Sequence, residues 1–281
     1  MNRSRPDRCP GALRPWPADD GLLVRLRLPG GHVTSRQLLA LLTTAERHGD
    51  GRVYVTTRAN LQVRGLPAAA GTTHLTSEAL EALVSTGLLP SLAHDLARNI
   101  LVSPQTGLAH GRADLRSVTA ALDGALTDAP DLAALPGRFL FVLDDGRGDL
   151  VERSCDLGLV ALDAVRGQVR VGDAWGPVVP LRSAHRYLAG LARRFLAVRG
   201  HGKSAAWHVR ELAEPLELPQ RPSSLLPTAR ARLPYGSVPG GRHVPVPEEG
   251  LDRPAVERLC ADASHLVVTP WRGVLIPEET A

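Results

Sequence analysis

Four arginines, Arg25, Arg27, Arg58 and Arg64, fall on two short strand-like runs between Val24 and Leu66. Asn60 and Gln62 lie beside them and Gly30-Gly31 lies between the runs. Alternation along a strand sends every second side chain to one face, so Arg25 shares a face with Arg27, and Arg58 shares one with Asn60, Gln62 and Arg64. A face of guanidiniums and amides is costly as a core and suited to anions. Guanidiniums grip carboxylates through paired hydrogen bonds, so this pattern favours capture of a ligand rich in carboxylates. A solvated sheet face is the plain alternative for the same alternation.

The elements that must position these residues are legible. Leu22–Leu28 reads as a strand closed by Pro29-Gly30-Gly31. Thr34 suits the N-cap of a helix running to about His48, with Leu38, Leu41, Leu42 and Ala45 at helical spacing. Asp50-Gly51 marks a turn, and Arg52–Thr57 reads as the next strand, with an extended run into Leu66. Beyond it, helices are expected at Glu78–Thr86, Asp114–Leu126 and Ala184–Val198. Strands are expected at Ile100–Ser103, Arg138–Asp144, Val151–Leu162 and Gln168–Val171. The last stretch echoes the first: LVVTPWRGVLI (266–276) lies without a gap over VYVTTRANLQV (53–63). Thr269 then falls on Thr56, Arg272 one position after the equivalent of Arg58, Pro254–Ala261 on the first helix, and Gly240-Gly241 opposite Gly30-Gly31. A duplicated half-domain explains the echo.

These readings give an α+β chain: an irregular segment 1–20, a first half-unit 21–72, a larger α/β domain 73–218, a Pro-rich linker 219–234 and a second half-unit 235–281. With 281 residues, two domains are the expectation. The charge of +4, from 33 basic and 29 acidic groups, is too mild to call for nucleic acid. Lys203 is the only lysine, which points to genomic base composition, so the placement of the arginines carries more than their number. No apolar run approaches the ~20 residues of a membrane span, and the N-terminus lacks the apolar stretch of a secretory signal, so a cytoplasmic protein is expected. Cys9, Cys155 and Cys260 form no CxxC pair, so neither a zinc site nor a complete cubane site is encoded locally. His185, His201, His208 and Glu211 read as surface or linker residues, and neither glycine pair has a phosphate-loop pattern.

RLRLPGG, TTRANLQ, ARNILVSP, LPGRF and TPWRGVLIP, in that order, together resemble the nitrite/sulfite reductase superfamily. Within it, CPGALRP, VSPQTG, FLFVLDDG and TPWRG are most similar to the precorrin-3B synthases of aerobic cobalamin biosynthesis. The resemblance implies two ferredoxin-like half-units related by internal duplication, flanking one larger α/β sulfite-reductase-type domain. It implies an oxidoreductase of monooxygenase type that hydroxylates precorrin-3A with dioxygen and closes a lactone. A non-catalytic tetrapyrrole-binding module or subunit partner is one alternative, and a sirohaem nitrite or sulfite reductase relative is the other. Carried over by motif, the tetrapyrrole-binding positions are Arg27, Arg58, Asn60, Gln62, Arg98, Asn99 and Arg138, with Arg25, Arg64 and Arg272 as further candidates. Leu140 stands where the reductases have a second cation, which favours a larger, less polar substrate over a small anion. The family implies a [4Fe–4S] cluster and iron, with sirohaem in the reductases. The usual cysteine ligands have no counterpart in these residues, so a separately encoded cluster-bearing domain and an electron donor are the implied partners.

Overall fold

Thr34 opens the first long helix because its side chain accepts the Gln37 N–H while the Gln37 side chain accepts the Thr34 N–H. The computed structural model describes residues 9–261 and 263–278, so the start of the expected N-terminal segment lies outside the described residues. The first stretch of chain runs β1 (Trp16–Ala18), β2 (Gly21–Leu26), β3 (His32–Thr34), α1 (Ser35–His48), β4 (Tyr54–Val55), β5 (Leu61–Leu66) and α2 (Ser77–Ser85). Leu22, Val24 and Leu26 are buried on β2, and Leu38, Leu41, Leu42 and Ala45 are buried on α1, as their spacing requires. β1 shows that the segment before residue 20 is not wholly irregular.

The expected continuous run from Arg52 into Leu66 is broken. The Thr56 N–H donates to the Asn60 carbonyl and the Ala59 N–H to the Thr56 carbonyl, closing a turn in which Ala59 is left-handed at φ 55°. Arg58 and Asn60 therefore sit in a turn and do not share a strand face with Gln62 and Arg64.

Next come β6 (Ile100–Val102), α3 (Arg116–Thr127), β7 (Phe141–Asp144), β8 (Leu157–Ala161), β9 (Arg166–Val171), β10 (Ala174–Pro180) and α4 (Leu181–Val198). They form one sheet in the order β10-β9-β8-β7-β6, with β6, β7 and β8 parallel and β9 and β10 antiparallel. Buried faces of α3 and α4 complete its core with Phe139, Phe141 and Phe195, whose rings lie 4.9–5.3 Å apart. The strand expected from Val151 begins only at Leu157, because Arg170 takes the carbonyls of Val151 and Arg153 as acceptors. β10 escapes prediction because Gly176 and Pro177 interrupt it, at a shift of register. The Pro-rich stretch is not a free linker. Its Gln220 N–H donates to the Trp175 carbonyl, Ser223 N–H to Gln168 Oε1 and Arg230 N–H to the Gly148 carbonyl. It straps across this sheet.

The last stretch runs β11 (Gly236–Val238), β12 (Gly241–Pro245), α5 (Arg253–Cys260), β13 (His265–Thr269) and β14 (Gly273–Pro277). Its sheet, β11-β12-β14-β13, repeats the order β1-β2-β5-β4 of the first. Gly241 closes the β11–β12 hairpin opposite Val238 as Gly21 closes β1–β2 opposite Ala18, so Gly240-Gly241 corresponds to the first hairpin turn and not to Gly30-Gly31. The two halves also trade edges. β3 pairs antiparallel with β13, and Leu251, just ahead of α5, bridges to Val53, just ahead of β4.

By compactness the chain divides into Cys9–Asp95 with Leu233 onward as one unit and Leu96–Arg232 as the other. The division falls later than the expected boundary near residue 73. α2 stays with α1, where Thr44 Oγ1 reaches the Ala82 carbonyl at 3.4 Å. No helix among the described residues is long and apolar enough to cross a membrane.

Candidate functional site

The unit formed by the two halves places three arginines near one another. Arg25 is half-buried on β2 opposite Gln62 of β5, and its Nη2 donates to Gln62 Oε1 at 3.3 Å. Arg27 follows the end of β2 and is only 2% exposed. Its Nη1 donates to the carbonyls of Pro10 (2.7 Å) and Arg25 (2.9 Å) and lies 3.6 Å from Asp95 Oδ1. Arg27 Nε and Nη2 and Arg25 Nε are buried and make no hydrogen bond among the described residues. Among the described residues Asp95 is the carboxylate buried with them, and its Oδ2 accepts the Ala12 N–H at 2.7 Å.

The electrostatics follow from that shortage of negative charge. Burial pulls the Arg27 guanidinium's pKa down; Asp95 opposes this, while Arg25 and Arg58 push in the same direction as burial. Burial likewise lowers Arg25, with the Cys9 thiol acting the other way. Buried guanidiniums with unused donors are expensive, and an incoming carboxylate would relieve that cost. Arg58 reaches this neighbourhood from the Thr56–Asn60 turn, whose Thr56 Oγ1 accepts the N–H groups of Arg58 and Asn60.

The remaining candidates have other work. Asn60 is 2% exposed, and its Oδ1 accepts the Leu28 N–H at 3.0 Å, so it ties the turn to the end of β2. Arg64 forks onto exposed Asp20 and stands over the Tyr54 ring. Arg272 is left-handed at φ 56° and pairs with exposed Glu248 at 2.9 Å. Arg98, Asn99 and Arg138 belong to the other unit. Arg98 is held bidentately by Asp123 at 2.6 and 2.7 Å, and Asn99 Nδ2 donates to the carbonyls of Leu96 and Gly137. Arg138 is exposed just ahead of β7, and Leu140 is buried at 6%.

Sequence reasoning missed Asp95 and the Pro10–Ala12 backbone, which lie far along the chain from Arg27 and carry no local motif.

The thiols do not make a donor set for an iron–sulfur cluster, which takes four cysteine thiolates. Cys155 is buried in the β6–β10 unit and its pKa is pushed up to about 11 by burial, while Cys260 is raised by burial at the end of α5. Among the described residues no three of His, Cys, Asp and Glu converge on a metal-sized space. His208 and Glu211 shape their own turn: His208 Nδ1 accepts the Arg210 N–H and Glu211 accepts the Trp207 N–H.

Residues 17–70 match the nitrite/sulfite reductase ferredoxin-like half domain. That stretch holds β1 to β5, with Arg25, Arg27 and the Arg58 turn. The resemblance carried by RLRLPGG and TTRANLQ is thus borne out. Over 62 residues, 22% of this chain and 14% of the relative, the chain is 47% identical to a precorrin-3B synthase of Sinorhizobium sp. Over 136 residues, 46% of this chain and 26% of the relative, it is 38% identical to a ferredoxin–nitrite reductase of Synechococcus elongatus. The fold is similar to that of the Mycobacterium tuberculosis NirA protein, with a TM-score of 0.63 and 16% identity over 92% of this chain and 54% of that one. The chain therefore spans about half of that structure, and its matched stretches span smaller parts of the curated relatives.

Proposed function

We propose that this chain supplies the tetrapyrrole-holding part of an oxidoreductase of the nitrite/sulfite reductase kind, of precorrin-3B synthase type. The observation that carries the reading is buried Arg27, paired with Asp95 but with donors left over, and close enough to Arg25 and Arg58 to feel their charge. A precorrin bears acetate and propionate arms, and Arg25 and Arg58 would each grip one, with Arg27 holding the field positive from beneath. The repeated sheet order and exchanged edges support descent of the two halves from one duplicated unit. In this proposal the reaction is oxygen-dependent hydroxylation of precorrin-3A with closure of a lactone, fed by an external electron donor. An iron–sulfur centre would supply electrons when bound. The described thiols do not fit one, so it would be carried on further residues or a partner.

The test is fluorescence titration of the purified chain with uroporphyrin, an octacarboxylate probe. Arg58→Ala should weaken binding by about tenfold or more, the worth of one charge-assisted contact. Binding that is absent, or indifferent to Arg58→Ala and Arg25→Ala together, would sink the proposed site.

A second reading, a sirohaem-type nitrite or sulfite reductase relative, draws support from the longer match to the nitrite reductase. Buried Leu140, at a position where a cation would help a small anion through reduction, weighs against it. Parallel assays of precorrin-3A turnover and of nitrite reduction with reduced ferredoxin separate the two.

A further inference from the structure

The carboxyl ends of the parallel strands β6, β7 and β8 hold an open-mouthed cavity of about 290 Å3, walled by His110–Arg112, Gly146–Arg147 and, from the strap, Pro227, Thr228 and Arg230. In α/β sheets ligands bind outside the carboxyl ends of the strands, and a space of this size suits a small group. Its floor is rigid. Arg147 spends its donors on Asp145, on Gln105 and on the carbonyls of Ala109 and His110, which locks the two loops together.

The other two guanidiniums are in a different state. Among the described residues the Arg112 guanidinium donates only to the neutral carbonyls of Leu162, at 3.3 Å, and Leu225. Arg230 is fastened by its backbone to Gly148, and its guanidinium makes no hydrogen bond or ion pair among the described residues. The nearby acids are already engaged, although the Asp145 carboxylate lies against Gly111 of the wall. Asp145 is taken by Arg147, and Asp144 accepts the N–H groups of Gly146, Gly148 and Leu150. Asp149 accepts the Ser103 hydroxyl at 2.6 Å. Gly146, at φ +87°, leaves the room through which the Arg112 stem passes, since a Cβ there would meet Arg112 Cδ at 2.7 Å.

We propose that this cavity is a binding site for a small oxyanion, a phosphate or short carboxylate group, gripped between Arg112 and Arg230. Two guanidiniums that pair with no carboxylate among the described residues offer the fork that such anions fit. The strap is then one wall of the site, and the anion would fasten it to the β6 and β7 loops. None of these residues belongs to the unit carrying Arg58, so the proposal does not rest on the tetrapyrrole reading.

The test is isothermal titration of the full chain at low ionic strength with inorganic phosphate and, separately, with malonate, alongside thermal unfolding. One saturable site is expected, with a rise in midpoint temperature on adding the anion. Arg230→Gln should weaken it by about tenfold or more while leaving the unliganded midpoint unchanged, because its guanidinium makes no hydrogen bond or ion pair among the described residues. Arg112→Gln should weaken binding too and also lower the midpoint, since it frees the strap at Leu225. Exposed Arg36→Gln is the control and should change neither. Tighter phosphate binding assigns a phosphoryl group and tighter malonate a carboxylate. Absence of a saturable site for both anions, or binding equally strong in Arg230→Gln and Arg112→Gln, overturns the proposal.

Discussion

The turn Thr56–Asn60 and the turn Thr269–Gly273 have the same backbone and opposite chemistry. Ala59 and Arg272 occupy matching left-handed positions at φ 55° and 56°. Before them stand Arg58 in one half and Trp271 in the other. After them stand Asn60, whose amide secures Leu28, and Gly273, where a Cβ would meet His243 Nε2 at 2.3 Å. His243 fills that space, bonding Thr269 Oγ1 at 2.9 Å and the Pro234 carbonyl at 3.0 Å, with Tyr235 packed 4.7 Å from its ring. One half has gathered guanidiniums and amides; the other has an imidazole and two aromatic side chains. The repeated fold holds the turn, and each half spends it on different side chains.

The largest effect should come from the charged half. Arg27→Ala strips the cation from buried Asp95 and should cost about 3–5 kcal/mol in urea unfolding. Arg272→Ala, which loses only an exposed partner, should cost next to nothing. Equal losses would break the contrast between the halves. Gly273→Ala should then cost about 1–3 kcal/mol by overpacking, and the His243→Ala background should lessen that cost without abolishing it, since the Val244 carbonyl would still stand 2.9 Å from the new Cβ; a double-mutant cycle reads the coupling directly. No such coupling would mean that His243 does not hold the space against Gly273.

A pH effect of intermediate size follows from His243. Burial lowers its pKa, against the pull of the Pro234 and Leu233 carbonyls. The unfolded imidazole, at about pH 6.5, then binds protons that the folded one refuses, so this contribution is complete above that pH and is lost as the pH falls below it. His185 and His208 are lowered too, so acid destabilisation should lessen in His243→Gln without vanishing. Unfolding midpoints followed from about pH 7 down to 5 measure the difference. The smallest effect separates the two left-handed residues. Arg272→Gly should stabilise by about 1 kcal/mol through relief of strain. Ala59→Gly should come out near zero, because the buried methyl it removes is worth about 0.8 kcal/mol.

What could be read from the sequence was whatever its own neighbours decide. The Thr34–Gln37 cap and the leucine spacing fixed α1, and the ungapped echo between residues 53–63 and 266–276 foretold the shared sheet order. The Arg58 turn was hidden because TTRAN has neither proline nor glycine, and an alanine takes the left-handed position. The corresponding turn in the last stretch, TPWRG, carries both residues. The site was legible as a placement of arginines and amides along the first half but not as a geometry. Arg27 is buried by the Pro10 carbonyl and Asp95, contacts made across long stretches of chain that no spacing rule encodes. Arg98 looked available until Asp123, on α3, claimed it.

The traded edges also set an order on synthesis. β3 and Val53 leave the ribosome early, yet their partners, β13 and Leu251, follow only after the whole of Leu96–Arg232 has been made. Until then the nascent first half carries an open strand edge, the kind of surface that pairs with neighbouring chains. The β6–β10 unit, continuous in sequence, can close while that edge waits. Nascent chains arrested just short of Leu251 should therefore be the ones most in need of a chaperone.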